Sequence, residues 1–243
     1  MKKTLLAIAL SSALVPLAPT MAAESDIELS ANFGLVSDYR FRGVSQTDKE
    51  IAAQGGFDFA HKSGFYMGTW ASNVAGWANT NGNGMEIDLY LGYSTEVGGV
   101  GVDLGNLYYY YPGSDPVVTG STVDPHTNEV YLGLSLGAFT FKTSYATSDY
   151  FSNPDSKGTL YYNLSAEFPI DDSTSVGAAV GFTKPEGTSA VEGYDYSLGI
   201  SKDIRGFSLG ASYITTSGDL NNIVNGTKEI AKGTVVVSIS KSF

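Results

Sequence analysis

The sequence predicts an all-β fold: a transmembrane antiparallel up-and-down β-barrel of 12 strands, with short periplasmic turns and longer external loops. Three observations predict it. Apolar and polar residues alternate with period two along almost the whole chain after residue 27. The connections between the alternating runs are short and long in strict turn. One face of the runs carries almost no charge, and the lysines it has sit at run ends.

Composition sets the frame. The 243 residues include 29 glycines, 16 tyrosines and no cysteine. Without cysteine there is no disulfide scaffold, no thiol nucleophile and no thiolate-ligated metal. Charged residues are 16% of the chain, against roughly 25% in soluble domains. A mean hydropathy of −0.03 excludes a bundle of membrane-spanning helices, which needs several apolar runs of ~20 residues.

The elements follow in order. Lys2 and Lys3, the apolar stretch Leu5 to Leu17 and the small pair Ala22-Ala23 read as a secretory signal peptide over residues 1–23, cleaved after Ala22 or Ala23. Residues 24–243 then form a single outer-membrane barrel domain. Removing Lys2 and Lys3 leaves 12 basic against 25 acidic residues. An exported chain this acidic, with no basic run, is no binder of nucleic acid.

The first run, 28–42, sets Leu29, Ala31, Phe33, Leu35, Tyr39 and Phe41 on one face. Glu28, Ser30, Asn32, Asp38, Arg40 and Arg42 lie on the other. The same alternation marks 50–60, 65–73, 85–97, 101–111, 128–136, 139–146, 159–168, 174–184, 193–202, 207–216 and 233–243. Tight turns at 61–64, 98–100, 137–138, 169–173 and 203–206 alternate with loops at 43–49, 74–84, 112–127, 147–158, 185–192 and 217–232.

The apolar face belongs outside. Eight strands are about the number whose bore side chains just fill, so twelve with the apolar face inward would enclose a dry void. The only outward charges are Lys184, Lys202 and Lys241, and a lysine costs little near the membrane rim. Tyr39, Phe41, Tyr108, Tyr110, Tyr145, Phe182 and Tyr194 collect toward the loop ends. Phe139, Phe168, Phe207 and Phe243 collect toward the turn ends, completing two interfacial girdles. Val235, Val237, Ile239 and the terminal Phe243 share one face, interrupted by Lys241. They resemble the C-terminal signal read by the barrel-insertion machinery.

The segment Leu35-Val36-Ser37-Asp38-Tyr39-Arg40-Phe41-Arg42-Gly43-Val44-Ser45-Gln46-Thr47, followed by Gly55-Gly56-Phe57-Asp58, resembles the TorF-type porin family of proteobacteria. The stretch Gly64-Phe65-Tyr66-Met67-Gly68-Thr69-Trp70-Ala71-Ser72-Asn73-Val74 and Glu86-Ile87-Asp88 match it too. These motifs cover the first third; the rest agrees in length and strand layout. The resemblance implies an outer-membrane barrel acting as a channel, with no catalytic residues.

By strand parity the lumen receives Asp38, Arg40, Arg42, Asp58, Glu86, Asp88, Asp103, Glu129, Lys142 and Glu167. Its many glycines and serines keep the bore open. Rings of one charge sign select ions, so the expected function is passive diffusion of small polar solutes through an acidic, cation-preferring pore. The alternative is a barrel in which Arg40 and Arg42 pair with Asp38, Asp58, Glu86 or Asp88 and plug the lumen. Such a barrel would have a structural or adhesive role carried by loops 112–127 and 217–232. Either reading makes outer-membrane lipid and lipopolysaccharide the surroundings, and neither calls for a cofactor.

Enzyme motifs are weak. Gly133-Leu134-Ser135-Leu136-Gly137 has the nucleophile-elbow spacing, but a strand and tight turn follow it rather than a helix. His61-Lys62-Ser63 sits in a periplasmic turn and His126 in an external loop, and nothing in the sequence puts either in contact with a serine. Asp219 to Gly226 fails the calcium-loop pattern at Ile223. In Tyr108 to Tyr111, alternate rings face lipid and lumen as part of the girdle.

Overall fold

The computed structural model describes residues 26–76, 78, 84–114, 123–187 and 191–243; the expected signal peptide and part of the expected loop 112–127 lie outside the described residues. Strand β1 (Ile27–Val36) is followed by a small hairpin, β2 (Arg40–Phe41) and β3 (Val44–Ser45). Then come β4 (Ala52–His61), β5 (Phe65–Asn73), β6 (Met85–Val97), β7 (Val100–Tyr110), β8 (Thr127–Leu136) and β9 (Phe139–Ala146). β10 (Leu160–Pro169), β11 (Thr174–Lys184), β12 (Gly193–Ile204), β13 (Phe207–Gly218) and β14 (Thr234–Ser242) complete the chain. Among the described residues, twelve strands close into one antiparallel barrel, and only β2 and β3 stand apart.

Closure is made by β1, which pairs with β4 from Ile27↔His61 to Val36↔Ala52 and with β14 from Asn32↔Ser242 to Val36↔Ser238. A bilayer offers no water to an unpaired strand edge, so a sheet that enters it must close. The tight turns have the backbone that two-residue hairpins need. Val97 pairs with Val100 across Gly98 (φ 61°) and Gly99 (φ 85°), and Ile204 pairs with Phe207 across Arg205 (φ 53°) and Gly206 (φ 81°). Both turn residues are left-handed, as a turn matching the strand twist requires.

The two faces are as the alternation predicts. Leu29, Phe57 and Leu198 are exposed on the outside, while their neighbours Ser30, Asp58 and Ser197 turn inward and are half-buried or buried. Lys241 lies over the rings of Phe207 and Phe243, 4.9 and 5.2 Å from their centroids, and Lys202 donates to Thr174 at 3.2 Å. Tyr108 stacks on Tyr110, and Phe139 meets Phe168 edge-on, so most of the expected girdle forms. Val235, Val237, Ile239 and Phe243 are all exposed.

Two expectations are corrected. The run 28–42 is not one strand: β1 ends at Val36, and the chain leaves the wall at Ser37. Tyr39 and Phe41 therefore do not join the outer girdle. Tyr39 is buried inside the barrel, and Phe41 packs against the same internal cluster.

The lumenal glycines do not simply leave space. Tyr66, Gly92, Gly105 and Tyr131 are successive cross-strand partners on β5, β6, β7 and β8. The two rings fold inward over the two glycines, and their hydroxyls hydrogen-bond to each other. A Cβ on Gly92 would stand 2.4 Å from the Tyr66 ring, and one on Gly105 2.4 Å from the Tyr131 ring. Tyr90 covers Gly68 in the same way. Overpacking of this kind costs about 1–3 kcal/mol. Gly105→Ala should lower barrel stability by that amount in a urea titration of the refolded protein. Gly133→Ala, whose nearest neighbour would be Asp103 Cβ at 3.4 Å, should cost much less.

In the β10–β11 turn the Asp171 carboxylate accepts the Ser173 backbone N–H at 2.7 Å and its hydroxyl at 2.9 Å. These bonds hold its pKa at about 2. The ionised form is favoured in the folded turn, so its stabilisation is complete above the ordinary carboxylate pKa and is lost as pH falls from there to about 2. Asp171→Asn should unfold more easily than the native chain at pH 6, with the difference vanishing below about pH 2 in urea titrations across pH.

Candidate functional site

The site is built by the segment that leaves the wall after β1. Ser37 stays tied to β14, its N–H donating to Val237 O at 2.9 Å and its Oγ accepting from Val237 N–H at 3.0 Å. Beyond it, Arg40 pairs with Ser45 and Phe41 with Val44 around a two-residue turn at Arg42 (φ 46°) and Gly43 (φ 83°). Glycine is needed here: a Cβ on Gly43 would meet Thr216 Cγ2 at 2.4 Å and Asp195 Cβ at 2.9 Å. A second left-handed pair, Asp48 and Lys49 (φ 57° and 67°), turns the chain back into β4. The backbone N–H of Tyr39 donates to Thr47 Oγ1, and that of Lys49 to Ser45 Oγ.

The inserted hairpin crosses the bore at its loop end. Tyr39 donates to Glu86 Oε1 on β6 at 2.7 Å and lies edge-on to Trp70 on β5. Phe41 packs against Tyr109 on β7 and Phe151 in the β9–β10 loop. Arg42 reaches Glu129 on β8, Gly43 meets β12 and β13, and Ser45 N–H donates to Ile230 O just before β14. Asp38, Tyr39, Arg40, Arg42, Val44, Ser45, Gln46 and Thr47 are all buried.

Its charges are matched one by one. Arg42 Nη2 donates to both Glu129 oxygens at 2.7 and 2.9 Å, and Nη1 to Tyr150 Oη at 2.9 Å. The guanidinium also lies 4.1 Å from the centroid of the Tyr161 ring, a cation–π geometry strengthened by exclusion of water. Arg40 Nε donates to Asp38 at 2.7 Å, and its Nη1 to the carbonyls of Gly43 and Lys232. Removing one partner of a buried pair costs about 3–5 kcal/mol, so these contacts make the insert a built feature rather than a loose loop.

Glu86 accepts from Tyr111 as well as Tyr39, and Tyr161 donates to Asp195. Asp88, beside Glu86 on the same face of β6, is 2% exposed, and its Oδ1 has no hydrogen-bond partner among the described residues. Toward the turn end the lumen is less closed. Asp58, Asp103, Lys142 and Glu167 are half-buried. Tyr90 donates to Asp58, Tyr66 donates to Asp103 at 2.6 Å, and Lys142 Nζ sits 3.7 Å from the Tyr131 ring centroid.

The ten residues named from parity sit on two kinds of element. Asp58, Glu86, Asp88, Asp103, Glu129, Lys142 and Glu167 lie on wall strands, buried or half-buried. Asp38, Arg40 and Arg42 arrive on the infolded segment. Arg40 takes Asp38, one of the four carboxylates expected, whereas Arg42 takes Glu129. Tyrosine was missed as the common donor to these acids. The available signal was its inward parity at Tyr66, Tyr90, Tyr131 and Tyr161, with Asp88 and Glu129 two residues before Tyr90 and Tyr131.

The enzyme motifs lie in a strand, a turn and a loop end. Ser135 lies on β8 with a tight turn and β9 after it. Contrary to expectation, a serine–histidine contact does exist: His61 Nδ1 is 2.8 Å from Ser63 Oγ. The same Nδ1 accepts the Ser63 backbone N–H at 3.2 Å, so the ring caps its own turn. His126 accepts the Tyr111 backbone N–H at Nδ1 and packs against Tyr108 and Tyr110. Burial lowers its pKa.

The sequence profile of a family described as "Bacterial protein of unknown function (Gcw_chp)" matches residues 20–243. The chain belongs to that family. No curated protein matches the chain. Among solved structures, the KdgM porin superposes with a TM-score of 0.54 at 9% identity, covering 88% of this chain and 99% of that one. The same figures hold for the KdgM porin in complex with disordered oligogalacturonate. The NanC porin gives 0.54 at 8% identity over 89% and 99%. At such identity the shared property is the fold: this Gcw_chp barrel has the architecture of the KdgM and NanC porins.

Within it, Tyr39→Phe combined with Tyr111→Phe strips the Glu86 carboxylate of both donors. The pair should destabilise the barrel by about 2–5 kcal/mol in urea unfolding, since a buried charge loses its hydrogen bonds. Glu86→Gln, which removes the charge instead, should cost less.

Proposed function

We propose that the protein is an outer-membrane channel for small polar solutes, neutral or cationic, and a TorF-type porin as its first third suggests. The carrying observation is a closed twelve-strand barrel with an apolar outside and a polar bore, crossed at one end by a hairpin. The charge of the bore supports the cation preference. Both inserted arginines are engaged by carboxylates and Lys142 by a tyrosine ring, while Asp58, Asp103 and Glu167 face the more open part. A polyanion such as the oligogalacturonate named with the KdgM porin would be repelled there. The same reading has residues 1–23 removed on export, lipopolysaccharide around the external loops, and Val235, Val237, Ile239 and Phe243 presented to the insertion machinery.

Refolded protein in planar bilayers should conduct and favour potassium over chloride. Asp58→Asn, Asp103→Asn and Glu167→Gln together should reduce that preference without abolishing conductance. Folded protein that never conducts would sink the channel reading. The packing of the hairpin across the bore favours a second reading, a plugged structural or adhesive barrel acting through loops 112–127 and 217–232. In that case deleting those loops would abolish surface binding and leave folding unchanged.

A further inference from the structure

The hairpin is held by two sets of contacts of different kinds, with the loop 219–232 and the Glu129 strand on opposite sides of the bore. At its root, Ser45 and Gln46 use their backbones: Ser45 N–H donates to Ile230 O at 2.9 Å, and Gln46 O accepts from Ala75 N–H at 2.7 Å. Val44 joins Leu220, Ile230 and Ala231 in a small buried apolar cluster. Outside this cluster Asn225 Nδ2 donates to both oxygens of Asp48, at 2.9 and 3.0 Å. Lys228 lies 3.8 Å from Asp48 and 4.0 Å from Glu50. The root and the loop 219–232 are therefore folded as one body.

The tip is different. Among the described contacts Phe41 and Arg42 hold the β7–β10 wall by side chains alone, Phe41 on Tyr109 and Phe151 and Arg42 on Glu129, Tyr150 and Tyr161. Tyr39, whose carbonyl accepts from Gln46 N–H at 2.7 Å, belongs to the root and reaches Glu86 and Trp70 from there. No backbone ladder has to break for the tip to leave that wall. Arg42 makes the one ion pair across this gap, and it sits on the left-handed turn farthest from the root.

We infer that the hairpin is a gate hinged on the loop 219–232, and that the Arg42–Glu129 pair is the latch holding its tip shut. The inference rests on the channel reading and adds to it how the bore opens. Release of the latch lets the tip swing off the β7–β10 wall while the root keeps its contacts with Ile230 and Asn225. The open state then exposes Glu129, which the closed tip engages and which is buried.

The test uses planar-bilayer recording on the refolded full-length chain, with heat-modifiable gel mobility as the check on folding. Arg42→Gln leaves the buried Glu129 charge without its cation, so the principal variant is Arg42→Gln with Glu129→Gln, which removes both charges and keeps side chains of similar length. It should raise time-averaged conductance severalfold. The chain has no cysteine, so Asp48→Cys with Asn225→Cys introduces a single cross-link that ties the root to its loop. Oxidised, it should leave the conductance of both the native and the unlatched barrel unchanged.

A folded double variant that conducts like the native chain overturns the gate while leaving the channel standing. A root cross-link that closes the unlatched barrel overturns the hinge, since the root must then move. A native chain and variants that are all folded and all silent overturn the channel and the gate with it.

Discussion

Twelve strands enclose a wider bore than their own inward side chains fill, and most of the internal structure answers to that constraint. A barrel wall in lipid cannot thin or open an edge to relieve it, because every backbone group must stay paired. The space is occupied from two directions. Tyrosines on β5, β6 and β8 fold over glycines on neighbouring strands, and the segment after β1 turns inward to close the loop end.

Filling the bore with polar groups brings a second demand. Carboxylates out of reach of water need donors, and here they come from tyrosine more often than from a cation. Glu86, Asp58, Asp103 and Asp195 each accept a tyrosine hydroxyl, while Asp38 and Glu129 take the two arginines. Tyrosine suits the task because one ring covers a glycine on the adjacent strand and its hydroxyl serves an acid two strands away. The surplus of both residue types in the composition has this common cause, beyond the turns and the girdle.

Much of the wall was legible from residue order. The predicted runs 65–73, 85–97, 139–146 and 174–184 coincide with β5, β6, β9 and β11, and most others differ by a residue or two at the ends. Inward placement of Asp58, Glu86, Asp88, Asp103, Glu129, Lys142 and Glu167 followed from parity alone. The partner of Arg42 was not legible. Glu129 lies 87 residues away on the far side of the bore, and no local pattern reports a contact across a lumen. Nor was the use of Tyr39 as a lumenal donor, since alternation gave it the same face as Phe33 and Leu35.

By itself, then, the sequence determined the strand count, the two opposed faces and the side on which each wall residue lies. These depend on period two and on turn chemistry, which are local. Only the tertiary structure decided where residues 37–50 go. Asp38-Tyr39-Arg40-Phe41-Arg42 alternates equally well as a wall strand between lipid and lumen or as a hairpin with both faces inside. Periodicity records that two faces differ, not what each one meets. The choice was made by the size of the bore, by Glu129 and Glu86 waiting on the opposite wall, and by a left-handed Arg42-Gly43 turn that lets the chain reach them.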